Sequence, residues 1–308
     1  MLSLGGTRPL TNRWMLYASE ATGKWEALRM DLRTYASQLL TDATALDPQS
    51  LSFQAGEKGF WHFDGGRLIE TIFSSNKKTR EIYRTPAGFE KLPGAGYFPD
   101  GRIAVFVEKS GSGYRLQAVD LVRGTARALI EEPEEMSHVL PRPKRTAVLY
   151  RTQGAWWLVD TGSGEKQKLA LAEGEILQCD WSADGNTLLY LNRPADPKKL
   201  VAIREFAPEA GKDSWVTNTS QFVAFSANAD GSVFCGASGG KASPYVLLLA
   251  RAVKREFTLA EHKAMDPRMV APLFTPNSQS LLFQSDRHGK PAIYWMAVEK
   301  FVAETEGS

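Results

Sequence analysis

Histidine side chains are the groups of this sequence that could exchange a proton near neutral pH or ligate a transition metal. The chain has four of them, His62, His138, His262 and His288. His138 opens a predicted strand after a polar stretch, so it is the candidate for acid–base catalysis. His62 lies between two aromatic residues in an apolar strand and is expected to be a hydrogen-bonded sheet residue. His288 lies in a polar hairpin loop and is expected to be a solvated turn residue.

A small basic cluster follows His138 and consists of Arg142, Lys144 and Arg145. A guanidinium offers paired donors to a carboxylate, so this cluster could bind an anionic ligand. The alternative is a solvated hairpin without a ligand.

Two adjacent tryptophans, Trp156 and Trp157, lie in a predicted strand, where neighbouring side chains point to opposite faces. A flat indole ring can serve as a platform for a sugar. The alternative for both rings is packing between neighbouring sheets.

Several other chemistries are excluded by the motifs that the sequence lacks. The two cysteines, Cys179 and Cys235, are too few for a disulfide framework or a cysteine–histidine zinc pattern. No Gly-x-Ser-x-Gly nucleophile elbow is present. No phosphate-binding glycine loop follows a predicted strand and opens a helix.

Internal repeats define the elements that must position the candidate side chains. Each repeat has an aromatic residue, a tight turn and an apolar run, which predicts two strands joined by a hairpin. Three clear copies are Gly96–Phe106, Asp180–Tyr190 and Leu273–Phe283. Weaker copies lie at residues 10–17, 55–63, 142–150 and 227–234. Seven repeats therefore follow one another roughly every 45 residues.

This repeat predicts an all-β fold, a seven-bladed β-propeller with four-stranded antiparallel blades. We expect a single propeller domain over residues 8–302, followed by a tail at residues 303–308. The last repeat ends near Val298, one strand short of four. Residues 1–8 could add only a short strand, so either the ring closes imperfectly or the native chain begins upstream of Met1.

Composition restricts the partners of the protein. The chain of 308 residues has 37 Lys and Arg against 35 Asp and Glu, a net charge of +2. This balance favours neither nucleic acid nor an anionic membrane. The longest apolar run, Val246–Ala250, is far too short for a transmembrane helix. Because the start of the chain has no signal-peptide pattern, we expect a cytoplasmic protein.

The segment Phe274–Tyr294 resembles the propeller repeat of the TolB proteins. The order of the repeats resembles the oligogalacturonate lyase family, with parallel stretches at Ser137–Val139, at residues 180–181 and at Pro272–Tyr294. The resemblance spans about residues 8–302. It implies a cytoplasmic seven-bladed propeller that cleaves short pectin fragments by β-elimination.

The resemblance also implies a manganese site made of a glutamine and three histidines. On this sequence the matching positions are Asp266, Met269 and Ala271, with the fourth near Ala224 or Gln221. Of the first three, only Asp266 could ligate a hard cation, and one carboxylate does not hold manganese against water. His262 lies close enough in sequence to be a replacement ligand. We therefore expect no bound metal and no other cofactor.

Two functions remain open at this point. One is a divergent uronate-binding or β-eliminating enzyme with a rebuilt site. The other is a non-catalytic propeller that binds a glycan or a protein partner. In either case the ligand-binding candidates lie where first strands begin, at His138, Gln178, Gln221 and Arg268, and these four are expected to converge. Arg142 and Arg268 are the expected carboxylate clamps, and His138 is the group expected to exchange a proton.

Overall fold

Short antiparallel strands make up the structure, a computed structural model that describes residues 1–74, 78–111, 113–219 and 221–301. The chain divides into two compact units, Met1–Leu169 (unit 1) and Ala170–Ser308 (unit 2). Among the described residues, no helix is long and apolar enough to cross a membrane.

The described residues of unit 1 form seventeen strands. They are β1 Leu2–Ser3, β2 Trp14–Ser19, β3 Glu26–Asp31, β4 Ser37–Leu39, β5 Ser52–Phe53, β6 Gly59–Asp64, β7 Arg67–Ile72, β8 Lys78–Arg84, β9 Glu90–Lys91, β10 Gly96–Tyr97, β11 Ile103–Ser110, β12 Gly113–Asp120, β13 Ala126–Glu132, β14 Met136–Pro141, β15 Ala147–Thr152, β16 Ala155–Asp160 and β17 Lys166–Lys168. A 3₁₀ helix lies at Ala55–Glu57.

Unit 2 contains eleven strands within its described part. They are β18 Glu175–Trp181, β19 Leu188–Arg193, β20 Ala202–Ala207, β21 Lys212–Asn218, β22 Phe222–Ala227, β23 Val233–Ser238, β24 Tyr245–Ala250, β25 Arg255–Glu261, β26 Leu273–Phe274, β27 Ser280–Ser285 and β28 Ala292–Ala297. A 3₁₀ helix, Pro267–Val270, precedes β26.

Strands that are consecutive along the chain pair antiparallel, so each sheet is a simple meander. In unit 1 the sheets are β1–β4, β5–β8, β10–β13 with β9 beside β11, and β14–β17. In unit 2 they are β18–β21, β22–β25 and β26–β28. This architecture is a seven-bladed β-propeller with almost no helix, which confirms the predicted fold class.

The last sheet forms as its sequence predicts. Leu273 lies opposite Leu282, and Ser280 lies opposite Ala297, so three strands pair in one antiparallel sheet. The turn between the first two strands contains Ser278 at φ 59°. Turns of this kind favour Asn, Asp, Ser and Gly because their residues must enter the left-handed region.

The start of the chain belongs to the first sheet. Leu2 lies opposite Ser19 in the β1–β2 ladder, and Arg8 forms a parallel bridge with Ser52. Gly6, at φ 125°, passes so close to the next sheet that a Cβ would lie 1.7 Å from the Leu51 carbonyl oxygen. The expectation that residues 1–8 add a strand to the last sheet is wrong, because β1 pairs with β2 in the first sheet and the last sheet keeps three strands among the described residues.

Alternating side chains of each sheet pack against its neighbours. In β6, Trp61 stacks on Tyr97 of the next sheet at 5.4 Å between ring centroids, and Phe63 meets Phe106 edge-on at 4.7 Å. Phe60 points the other way and packs into the core shared with the first sheet. Each fully buried aromatic side chain contributes about 1.5–3 kcal/mol of hydrophobic free energy, so these sheet-to-sheet contacts hold unit 1 together.

Candidate functional site

His138 lies in a bulge of β14, the first strand of its sheet. The ladder with β15 is interrupted between Ser137 and Leu140, and His138 adopts φ 55°. Its Nδ1 lies 3.0 Å from the Ser137 hydroxyl oxygen, and its ring is 5.3 Å from the ring of Trp156. Bulges re-aim side chains and are common beside functional sites, so the structure gives the predicted catalytic histidine an unusual setting.

Two effects lower the pKa of His138 below its ordinary value. Desolvation is the larger, and the nearby charge of Arg151 adds to it. The imidazole is therefore neutral at pH 7, the form needed for a general base. The sequence analysis missed Arg151, since only the strand register brings it close to His138.

The two neighbouring tryptophans divide as the strand pattern predicts. Trp157 packs on the core shared with the preceding sheet, with the Lys166 ammonium 4.9 Å from its ring centroid. Trp156 points to the opposite face, is 6% exposed and supports His138. Of the two alternatives for this ring, its burial and its contact with His138 favour packing.

Arg142 is 4% exposed, and its backbone N–H donates to the Ala147 carbonyl in the β14–β15 hairpin. The other two members of the basic cluster, Lys144 and Arg145, are exposed in that hairpin. The role of Arg142 as a carboxylate clamp stays a prediction.

Gln178 and Gln221 are both hydrogen-bonded inside unit 2. The Gln178 amide accepts from the Phe225 N–H at 3.0 Å and donates to the Phe225 carbonyl at 2.8 Å. Gln221 accepts from the Ser238 hydroxyl at 2.6 Å. Both side chains therefore position backbone and hydroxyl groups. Whether they also contact a ligand, and whether His138, Gln178, Gln221 and Arg268 converge, stay predictions.

Asp266 is engaged by Arg268 in the segment where the resemblance places the metal ligands. The carboxylate accepts from the Arg268 backbone N–H at 3.0 Å and from its guanidinium at 3.0 and 2.8 Å. These hydrogen bonds lower the pKa of Asp266. Met269 is exposed, and Ala271 has only a methyl group. These donors do not fit a manganese ion.

His262 is a structural residue. It is fully buried, its Nε2 donates to the Ser238 carbonyl at 3.0 Å, and its Nδ1 accepts from the Ala264 N–H at 3.0 Å. With both ring nitrogens engaged, no lone pair is left for a metal ion. In the described part of the chain, no group of three or more His, Cys, Asp or Glu is placed to hold one.

The remaining two histidines differ from each other. His288 is exposed and its Nδ1 lies 2.7 Å from the Tyr294 hydroxyl. His62 is 1% exposed, stacks on Phe60 at 5.1 Å, and neither ring nitrogen has a hydrogen-bond partner among the described residues. The expectation of a hydrogen-bonded His62 is wrong, because its strand places the ring against apolar groups. Burial lowers the pKa of His62 to about 4.

The sheets described above define a seven-bladed β-propeller, and the comparisons place the chain among particular relatives of that class. No protein-family model matches the chain. An oligogalacturonide lyase of Pectobacterium atrosepticum is 26% identical in a 211-residue alignment that covers 58% of this chain and 54% of that protein. The chain thus spans about half the length of that relative. An oligogalacturonate lyase of Dickeya dadantii is 24% identical in a 330-residue alignment that covers 91% of this chain and 85% of that protein.

Solved structures give the same relationship at the level of the fold. An oligogalacturonate lyase in complex with manganese has a TM-score of 0.86 at 20% identity, covering 95% of this chain and 88% of that one. The oligogalacturonate lyase of Vibrio parahaemolyticus has a TM-score of 0.84 at 21% identity, covering 95% and 89%. TolB of Acinetobacter baumannii has a TM-score of 0.56 at 15% identity, covering 80% and 63%. The chain is thus related to oligogalacturonate lyases in sequence and in fold.

Proposed function

We propose that this protein is an oligogalacturonate lyase-like propeller that binds short oligosaccharides of galacturonic acid. The observation that carries the proposal is the similarity to a lyase over 91% of this chain. The ligand of such a protein carries one carboxylate on every sugar. Recognition therefore requires cations, and arginine is the side chain best suited to a carboxylate.

Arg268 is one cation that this proposal uses. Its side chain is well exposed in its ion pair with Asp266, so a ligand carboxylate can compete with that of Asp266. Exposed pairs of this kind are weak and exchange partners readily. His138 is the group that would move a proton, since its imidazole is neutral at pH 7 and exposed.

The manganese site of the compared lyase is not part of the proposal. Asp266 is the one hard ligand among the matching positions of its segment, and Arg268 binds both of its oxygens. We infer that a metal site of that kind is lost in this chain. Any β-elimination must then proceed without that metal. It must still remove the proton from the carbon that carries the carboxylate, form the double bond and break the bond to the glycosidic oxygen.

Calorimetry with di- and trigalacturonate tests the proposal, with the fully methyl-esterified oligomers as matched ligands without charge. We expect heat from the acids, none from the esters, and loss of that heat in Arg268→Ala. No heat from the unmodified protein refutes the proposal and favours the alternative, a propeller that binds a protein partner or a different glycan.

Turnover and metal content need separate measurements on the same protein. The unsaturated sugar that elimination creates absorbs ultraviolet light, so its appearance distinguishes a lyase from a binding protein. Elemental analysis after dialysis is expected to find manganese far below one ion per chain. A ratio near one would refute the loss of the metal site and require ligands other than Met269 and Ala271.

A further inference from the structure

Arg151, in the last sheet of unit 1, is a half-buried arginine whose side chain makes no ion pair or hydrogen bond with any described residue. Two other partly buried arginines of unit 1 and unit 2, Arg115 and Arg204, have carboxylate partners in Glu108 and Asp213. Its guanidinium rests on the Trp156 ring and has no counter-ion among the described residues. An anionic ligand at this position would supply that counter-ion.

The strand register places Arg151 beside His138. Arg151, in β15, lies opposite Ser137 in β14 and opposite Trp156 in β16. Residues directly opposite in neighbouring strands share one face of a sheet. Accordingly, the Arg151 Cζ lies 5.9 Å from the Trp156 ring centroid, and the His138 ring lies 5.3 Å from the same ring. One buried indole therefore supports both a guanidinium and an imidazole.

The backbone of His138 is held in a conformation that few residues adopt. A φ of 55° is uncommon and strained for residues other than glycine. Such strain persists where the surrounding structure imposes it. The Ser137 hydroxyl holds the Nδ1 of the ring, while Nε2 has no partner among the described residues. The imidazole is thus oriented with one nitrogen left for a ligand.

We infer that Arg151 and His138 form a binding site for the carboxylate of a uronic acid, with Ser137 and Trp156 as positioning residues. The guanidinium supplies the counter-charge, and the His138 Nε2 lies beside the bound group. This inference rests on the proposed function for the choice of a uronate. It adds Arg151, a clamp distinct from Arg142, which is nearly fully buried, and from Arg268, which is paired with Asp266.

The charge of Arg151 makes the site measurable in the full chain. Because Arg151 is the charged group that lowers the pKa of His138, a carboxylate bound to Arg151 should raise that pKa. NMR titration of the four histidines with and without D-galacturonate measures this, and a His138→Gln variant assigns the resonance. We expect an upward shift of the His138 pKa that saturates with galacturonate. An unchanged pKa overturns the inference.

Arg151→Gln should raise the pKa of His138 in the absence of ligand, and the dispersion of the NMR spectrum of the variant reports that it is folded. It should weaken digalacturonate binding by about tenfold or more, since a carboxylate loses its cation. Arg151→Lys, which keeps the charge but not the planar pair of donors, should bind with intermediate affinity. The matched control is Arg127→Gln, the same charge change at an exposed arginine of β13, and it should bind like the unmodified protein.

The outcomes separate this inference from the proposed function. If the unmodified protein binds digalacturonate and Arg151→Gln binds it equally well, the Arg151 site is wrong and the proposed function stands. If the unmodified protein does not bind digalacturonate, the proposed function fails. In that case, NMR titration of His138 with and without formate, the simplest carboxylate, tests the Arg151 site independently of the proposed function. A His138 pKa that formate leaves unchanged overturns the inference.

Discussion

Replacing Arg115 by methionine is expected to destabilise unit 1 by about 3–5 kcal/mol, as for other buried ion pairs that lose one partner. Glu108, in β11, is fully buried, and Arg115 of β12 donates to it at 2.8 Å from Nε and approaches it at 2.6 Å from Nη2. The Tyr83 hydroxyl donates to the other oxygen at 2.9 Å. The guanidinium also stacks on Phe89, with Cζ 3.6 Å from the ring centroid.

The size of the expected loss of stability depends on the groups that remain around Glu108 in Arg115→Met. Methionine keeps much of the apolar stem that covers Phe89, so the loss is mainly electrostatic. The hydrogen bond from Nε, between charged groups, is worth about 1.5–3 kcal/mol, and the charge contact of Nη2 is lost with it, which is consistent with that range. Glu108 would retain only the Tyr83 hydroxyl in a site without water. Burial and this hydrogen bond raise the pKa of Tyr83, so the hydroxyl stays protonated and does not replace the lost cation.

Urea unfolding followed by circular dichroism measures the loss, with Arg84→Met as the matched control. Arg84 pairs with Glu81 on the surface, and exposed pairs contribute about 0–1 kcal/mol. The difference between the two variants should therefore be at least about 2 kcal/mol at an unchanged denaturant slope. Equal losses in both variants would show that burial of Glu108 does not control the energy of the pair.

Three further predictions address single positions. Burial lowers the pKa of His62 to about 4 from 6.5, so as the pH falls the unfolded chain takes up this proton before the folded chain does, and the free energy of unfolding decreases. In His62→Phe the melting temperature should therefore fall less between about pH 7 and pH 5 than in the unmodified protein. An equal fall in both proteins contradicts the reasoning. Gly6→Ala places a Cβ 1.7 Å from a backbone oxygen and should cost about 3 kcal/mol or more in urea unfolding, whereas Gly23→Ala, at φ 89° with nothing within 4 Å, should cost less. Arg268→Ala removes the hydrogen bonds that lower the pKa of Asp266, so NMR titration of this carboxyl should find its pKa raised towards the ordinary value; an unchanged value would place the cause elsewhere.

Local patterns in the sequence were enough to predict the strands. The alternation and turn at Leu273–Phe283 require no distant partner, since apolar residues of a strand and the residues of its hairpin turn are set by near neighbours. For the same reason the pattern around Trp156 and Trp157 predicted opposite faces correctly.

The arrangement of the candidate site depends on register, which sequence patterns leave open. Arg151 meets His138 because β15 lies between β14 and β16 with one particular pairing, and a one-residue slip would move Arg151 to the other face. The bulge at His138 has no glycine or asparagine to signal it. His62 was expected to be hydrogen-bonded, but its ring stacks on Phe60 and its nitrogens have no partner among the described residues, which the strand pattern alone does not reveal.

The Gln178 side chain forms hydrogen bonds to the backbone of a neighbouring sheet of unit 2, as the backbone of a paired strand would. Phe225 is almost fully buried, and its N–H and carbonyl, which face away from β23, are both bound by the Gln178 amide of β18. The Phe225 amide proton can therefore exchange with deuterium only when the β18–β21 and β22–β25 sheets move apart, even if each sheet keeps its own ladder. A ligand that hydrogen-bonds to the Gln178 amide in place of Phe225 would expose that proton. The hydrogen-exchange rate of the Phe225 amide would then rise.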